Sequence, residues 1–169
     1  MSALTYRLAT TKDTKTLANW WRDGRVMEHA GFPYGLTIDE EKLEERLNKQ
    51  ASSNHQVFML EYDQKPIGEM GVKTKGDQAE IGIKICDETY QNKGLGSKIL
   101  RQLITDLFQQ RNIRLIKLDT MLENVRAQKV YERLGFKKIK TEDDVFVDQL
   151  GRSRSAVFYQ MAKDDCRFL

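Results

Sequence analysis

The chain has 169 residues, 40% hydrophobic and 31% charged, with 28 Lys and Arg against 25 Asp and Glu. That balance fits one globular domain with a sizeable core and excludes a disordered or helical membrane-spanning chain, because no apolar run approaches the ~20 residues a bilayer needs. A net charge of +3, interspersed without a basic block, argues against a nucleic-acid partner.

Leu4 to Leu8 alternates and reads as an edge strand. Thr10, Thr11 or Asp13 can cap a helix through Leu17, Ala18, Trp20 and Trp21. Asp23 to Leu36 is a loop rich in Gly, His29, Phe32 and Tyr34, with a short helix at Val26 to Ala30. Thr37 or Asp39 then caps a helix that buries Leu43 and Leu47; its acids (Asp39, Glu40, Glu41, Glu44, Glu45) read as a solvated face. Val57 to Tyr62 and Ile67 to Lys73 form a hairpin about Asp63-Gln64-Lys65-Pro66. Ala79 to Cys86 extends it to an antiparallel meander, with Ile81, Ile83 and Ile85 on one face and Glu80, Gly82, Lys84 and Cys86 on the other.

A helix from Gly94 to Gln110 carries a broad apolar stripe (Leu95, Ile99, Leu103, Leu107) suited to packing on a sheet. The apolar strand Ile113 to Leu118 follows. With a helix between them, it is expected to run parallel to Ala79–Cys86. Asn124 to Leu134 is a further helix, stopped by Gly135. Phe136–Ile139, Val145–Val147 and Ala156–Met161 supply the last strands, and the tail from Ala162 reads as untethered. The expected fold is one α/β (α+β) domain, core about residues 4–161, with a mixed, mostly antiparallel sheet of six or seven strands and helices on both faces.

Between the third meander strand and the long helix lies Cys86-Asp87-Glu88-Thr89-Tyr90-Gln91-Asn92-Lys93-Gly94-Leu95-Gly96-Ser97. The unpaired N–H groups of a helix's first turn sit at its positive end, and glycines there let a phosphate approach closely. A nucleoside-triphosphate loop needs Gly-Lys-Ser/Thr, whereas here Gly96 precedes Ser97-Lys98. A dinucleotide loop needs a third glycine where Ile99 stands. The remaining pattern, Gln91-Asn92-Lys93-Gly94-Leu95-Gly96, resembles the acetyl-CoA loop of the GNAT N-acetyltransferases. Asn124-Val125-Arg126-Ala127-Gln128-Lys129-Val130-Tyr131-Glu132-Arg133-Leu134-Gly135-Phe136 resembles that family's second signature, at the family's spacing. The ending from Phe136 to Met161 looks most like the ribosomal-protein and spermidine acetyltransferase branch. Gln91 and Asn92 stand where Arg and Gly are commoner, a change that keeps the backbone donors and removes a charge.

The resemblance implies acetyl transfer from acetyl-CoA to a primary amine by direct attack in a ternary complex. It implies pyrophosphate binding by Gln91, Asn92, Lys93, Gly94, Leu95, Gly96 and Ser97, with charge help from Lys93, Lys98 or Lys129. Backbone groups of Ile85 and Cys86 would take the pantetheine arm, and Asn124 would contact that arm or cap its helix. Tyr131 would be the acid that protonates the leaving thiolate. Cys86 reads as a small buried side chain, since no His is placed to activate it.

A lysine-like amine, with pKa ~10, must lose a proton before it attacks. A carboxylate acting through water can take that proton. Glu80 is the first choice, with Glu69 and Glu28 as rivals. Glu28, His29, Phe32 and Tyr34 are placed at the acceptor by the resemblance; Trp20 and Trp21 read as packing or a pocket wall. Cys86 and Cys166 allow at most one bridge, and the few His and Cys lack ligand spacing. No leader pattern opens the chain. The expectations are a cytoplasmic monomer or homodimer with no metal, nucleic acid or membrane partner. The alternative function is a non-catalytic acyl-CoA-binding module.

Overall fold

The computed structural model describes residues 2–169. Seven strands form one sheet: β1 (Leu4–Leu8), β2 (His55–Tyr62), β3 (Lys65–Lys75), β4 (Gln78–Ile85), β5 (Leu115–Met121), β6 (Lys137–Val147) and β7 (Ser153–Ala162). Their spatial order is β1-β2-β3-β4-β5-β7-β6. Among the described residues, only β4 and β5 pair in parallel. The β2–β3 turn has Asp63 and Gln64 at φ of 49° and 69°. Positive φ at both turn residues matches the twist of a two-residue hairpin.

Helices α1 (Thr14–Arg22), α3 (Glu40–Lys49), α4 (Leu95–Gln110) and α5 (Val125–Leu134) cover the sheet. Leu17, Ala18, Leu43 and Leu47 pack on Val57 and Met59, forming a small core over β2. Trp20 and Trp21 pack against this cluster. The main core lies on the other face, where Ile99, Leu103 and Leu107 of α4 and Tyr131 and Leu134 of α5 meet Met70, Ile81, Ile116 and Tyr159. Asp39 caps α3 by accepting from the N–H groups of Glu41 (3.1 Å) and Lys42 (3.3 Å).

Gln50 ties these layers together. Its buried amide donates to the Ala9 carbonyl (2.6 Å) and accepts from the Val57 N–H (2.8 Å). Gln50→Ala leaves both backbone groups buried and unpaired, so a loss of roughly 1–3 kcal/mol is expected in denaturant melts.

Three expectations need correction. The short helix begins at Gly24, giving α2 (Gly24–Met27), followed by a 3-10 turn at Glu28–Ala30. A Cβ at Gly24 would lie 1.9 Å from the Pro33 carbonyl oxygen, so the loop closes tightly on that glycine. The two short strands after Phe136 are one strand, β6, interrupted by register shifts and by Asp144 at φ 53°. Residues 137–144 are exposed, so the strand is held by backbone pairing to β7 and shows no apolar alternation. The tail is docked. The Lys163 N–H donates to the Arg114 carbonyl (2.9 Å), and Phe168 packs on the main core beneath the Arg101 guanidinium, 4.9 Å from its ring centre. No helix among the described residues is long and apolar enough to cross a membrane.

Candidate active site

The sheet splits at its parallel pair. Rungs join Gln78 to Leu115, Ala79 to Ile116 and Glu80 to Lys117, and then stop, although β4 runs on to Ile85 and β5 to Met121. The outer neighbours hold, with Gly68 still opposite Ile85 and Met121 opposite Ala156, so the opening belongs to β4 and β5 alone. In an antiparallel ladder, alternate residues turn their backbone groups to opposite edges. The Cys86 N–H is committed to the Ile67 carbonyl at 2.8 Å, which leaves Ile83 and Ile85 facing the gap. The backbone edge expected at Ile85 and Cys86 therefore lies at Ile83 and Ile85. The Ile85 carbonyl is itself occupied by the Gln91 amide at 2.9 Å. Cys86 is buried, and burial pushes its thiol well above the ordinary range.

The glycine loop sits at one lip of the split. Asn92 and Gly94 are both left-handed (φ 63° and 74°), and Gly94 is the N-cap of α4. Asparagine tolerates that region, which explains how Asn92 keeps a turn where Gly is commoner. A Cβ on Gly94 would meet nothing within 4 Å, and one on Gly96 only Ile83 Cδ1 at 3.9 Å. The space before the first-turn N–H groups is open, while Leu95 is buried as an anchor. Lys93 and Lys98 are exposed, Ser97 is half-buried, and the Lys65 and Lys93 ammoniums flank the Tyr90 ring at 5.1 and 6.0 Å. Tied to Ile85, the Gln91 side chain braces the loop instead of reaching for a ligand.

Across the split, Asn124 caps α5, accepting from the Ala127 N–H at 3.3 Å, and Lys129 is exposed on that helix. Tyr131 is buried, with its ring edge-on to Phe136 and Tyr159 at 6.2 and 5.8 Å. Burial first, and then the charges of Asp119 and Tyr159, push its hydroxyl up to about 12. Among the described residues the hydroxyl is neither bonded to protein nor sealed from solvent.

Glu80 is exposed on the last rung before the split. Asp119 stands two residues beyond that rung, on the same face of β5. It is exposed, yet partial loss of water around its carboxyl, and then the Glu80 charge, raise its pKa. Sequence reading singled out Glu80 and passed over Asp119. Of the rival bases, Glu69 is buried and paired with Lys84 at 3.2 Å, and Glu28 is exposed in the 3-10 turn.

The loop after α1 spans the mouth of the split. At one foot, Arg25 lies 3.8 Å from Glu88, just past β4. At the other, Gly31 sits so close to the Phe146 ring that a Cβ would fall 2.3 Å from it. Gln149 then accepts from the Tyr34 N–H (2.7 Å) and donates to the Gly35 carbonyl (2.8 Å). Phe32 is half-buried under this roof, and His29 and Tyr34 are exposed on it.

A split sheet with open first-turn N–H groups at one lip and an uncommitted tyrosine hydroxyl at the other offers room for a long ligand and donors for an anion. A profile of the acetyltransferase (GNAT) domain matches residues 3–137. The aminoglycoside N(6')-acetyltransferase type 1 of Klebsiella pneumoniae is 28% identical over 153 residues, 80% of this chain and 75% of that one. The spermidine N-acetyltransferase of Vibrio cholerae, solved with CoA and spermine, has a TM-score of 0.85 at 24% identity over 96% of each chain. The ribosomal-protein-alanine N-acetyltransferase of Brucella melitensis has a TM-score of 0.78 at 18% identity, over 94% of this chain and 99% of that one. At these identities the two structures speak for the fold. The chain belongs to the GNAT acetyltransferases.

Proposed function

We propose that this enzyme acetylates a primary amine by direct attack on acetyl-CoA held in the split, the donor entering from the α4 and α5 face and the acceptor from the other. The observation that carries this reading is that the β4–β5 ladder ends at Glu80 and Lys117 while β4 runs on to Ile85 and β5 to Met121. The first-turn N–H groups from Leu95 to Ser97 take the pyrophosphate, helped by Lys93, Lys98 and Lys129. The Ile83 N–H and carbonyl and the Ile85 N–H, which face the gap, align the pantetheine arm as an added strand would, while Gln91 holds the Ile85 carbonyl.

Glu80 and Asp119 lie on the acceptor face and remove the amine's proton, directly or through water. The amine attacks the thioester carbonyl, the tetrahedral intermediate expels the CoA thiolate, and Tyr131 gives that sulfur its proton. The raised Tyr131 pKa keeps the proton available throughout the working pH range. Glu28, His29, Phe32 and Tyr34 border the acceptor. The free cysteines are consistent with a reducing, cytoplasmic setting.

The test is CoA release on incubation with acetyl-CoA and a panel of amines. Turnover is expected. Tight acetyl-CoA binding with no release across the panel would instead describe a non-catalytic acyl-CoA-binding module. Gly96→Val places a branched side chain before the helix N-terminus, so the KM for acetyl-CoA should rise about tenfold or more. An unchanged KM would move the pyrophosphate elsewhere.

A further inference from the structure

The strand order leaves β1 and β6 as the two edges of the sheet. An edge strand presents a row of unpaired N–H and carbonyl groups, and folds commonly blunt that row by keeping the strand short. β1 does so, with five residues, whereas β6 has eleven. Residues 137–144 are exposed in succession, so neither face of this stretch is covered. Among the described residues, no backbone group of residues 137–143 is hydrogen-bonded outside the pairing with β7.

The charges of this edge are sorted by sign. Lys137, Lys138 and Lys140 precede Thr141, and Glu142, Asp143 and Asp144 follow it. An edge carrying one sign keeps a second copy away, because like charges directly opposite each other repel. A strand whose sign reverses at its middle favours one arrangement instead. Turned antiparallel about a two-fold axis at Thr141, a second β6 sets its acidic half against the first strand's lysines. Thr141 then faces Thr141 of the other copy, and Lys140 faces Glu142 of the other copy twice, once on each side of the axis. Moving the axis to Lys140 or to Glu142 sets a charge against itself, so the sign pattern selects a single register.

The local geometry suits this centre. Lys140, Thr141 and Glu142 stand opposite Phe158, Val157 and Ala156 in unbroken register; the shifts fall to either side, between Lys138 and Lys140 and between Glu142 and Phe146. The Lys140 ammonium meets the Glu142 carboxylate at 3.2 Å, so the two side chains share a face and can exchange partners between copies. Ile139, a large apolar side chain 51% exposed beside the axis, gains from leaving water on docking.

We infer that β6 is a self-complementary docking edge, at which a second copy of this chain pairs antiparallel about Thr141 and joins two seven-stranded sheets into one. The backbone ladder and the burial of Ile139 supply the affinity, since exposed ion pairs add little. The charges fix orientation and register. Neither the glycine loop nor Tyr131 takes part, so this inference stands or falls apart from the acetyltransferase reading.

Sedimentation equilibrium of the full chain over a range of concentrations is the test, and a monomer–dimer equilibrium is expected. Lys140→Glu sets acid against acid and Glu142→Lys sets base against base, so each variant alone should dimerise more weakly by roughly tenfold or more. Mixed in equal amounts, the two variants recover both opposite-sign pairs and should form a heterodimer with close to the parent's affinity. Both positions are exposed, so melting temperatures near the parent's are expected. A chain that stays monomeric at every concentration overturns the inference, as does a dimer whose affinity ignores both substitutions. Variants that each weaken the dimer but fail to associate when mixed overturn the antiparallel register about Thr141.

Discussion

Tyr131→Phe is expected to lower kcat by roughly a hundredfold or more, the range of a positioned general acid, with little change in the KM for acetyl-CoA. The substitution removes one oxygen and keeps the ring. Edge-on contacts to Phe136 and Tyr159 come from the ring, so thermal unfolding should barely move. Burial, with the Asp119 and Tyr159 charges behind it, raises the Tyr131 pKa to about 12. A group whose folded pKa is raised stays protonated below that value, so loss of the acid cannot limit turnover at neutral pH. It enters only as pH rises towards about 12, where this group's contribution to stability is also lost. Steady-state kinetics on the variant decide the point. Full kcat would assign the sulfur's proton to solvent and leave Tyr131 as packing alone.

What was readable in the sequence was local. The glycine loop lies between a period-two strand and a helical stripe, and Asn124 to Phe136 is one capped helix ended by a left-handed Gly135. Each is specified within about a dozen residues, so pattern and turn chemistry suffice. The roof was not readable in this way. Gln149 meets Tyr34 and Gly35 across more than a hundred residues, and nothing in either stretch announces the other. Asp119 was missed for a similar reason: its partner Glu80 lies on another strand, and their nearness follows from a parallel register that the sequence leaves open. Exposed β6 and the docked Phe168 failed in opposite directions, one lacking alternation and the other carrying a single aromatic with no periodicity at all. Gln91 and Asn92 are the most instructive departures. Asn92 preserves a left-handed turn, whereas Gln91 exchanges a cation for a brace on the Ile85 carbonyl.

The proton acceptor gives the second large effect. Asp119→Asn and Glu80→Gln should each lower kcat/KM at neutral pH, the more important base by roughly a hundredfold. The pH profile separates their roles. Asp119 is raised by partial loss of water and then by the Glu80 charge, so in the unaltered enzyme the acidic limb of kcat/KM should lie above the ordinary carboxylate range. Neutralising Glu80 removes one of those two causes. In Glu80→Gln the limb should therefore move to lower pH if Asp119 is the base, and Asp119→Asn should abolish it. If Glu80 is the base, Glu80→Gln is the variant that loses the limb. Stability adds an independent sign. A carboxyl with a raised folded pKa favours the folded state most when protonated, and that contribution fades as pH rises through the folded value. At neutral pH the ionised Asp119 therefore costs stability, and Asp119→Asn should hold or raise the melting temperature while activity falls. A residue retained for packing would show the reverse, a lower melting temperature with an unmoved pH profile.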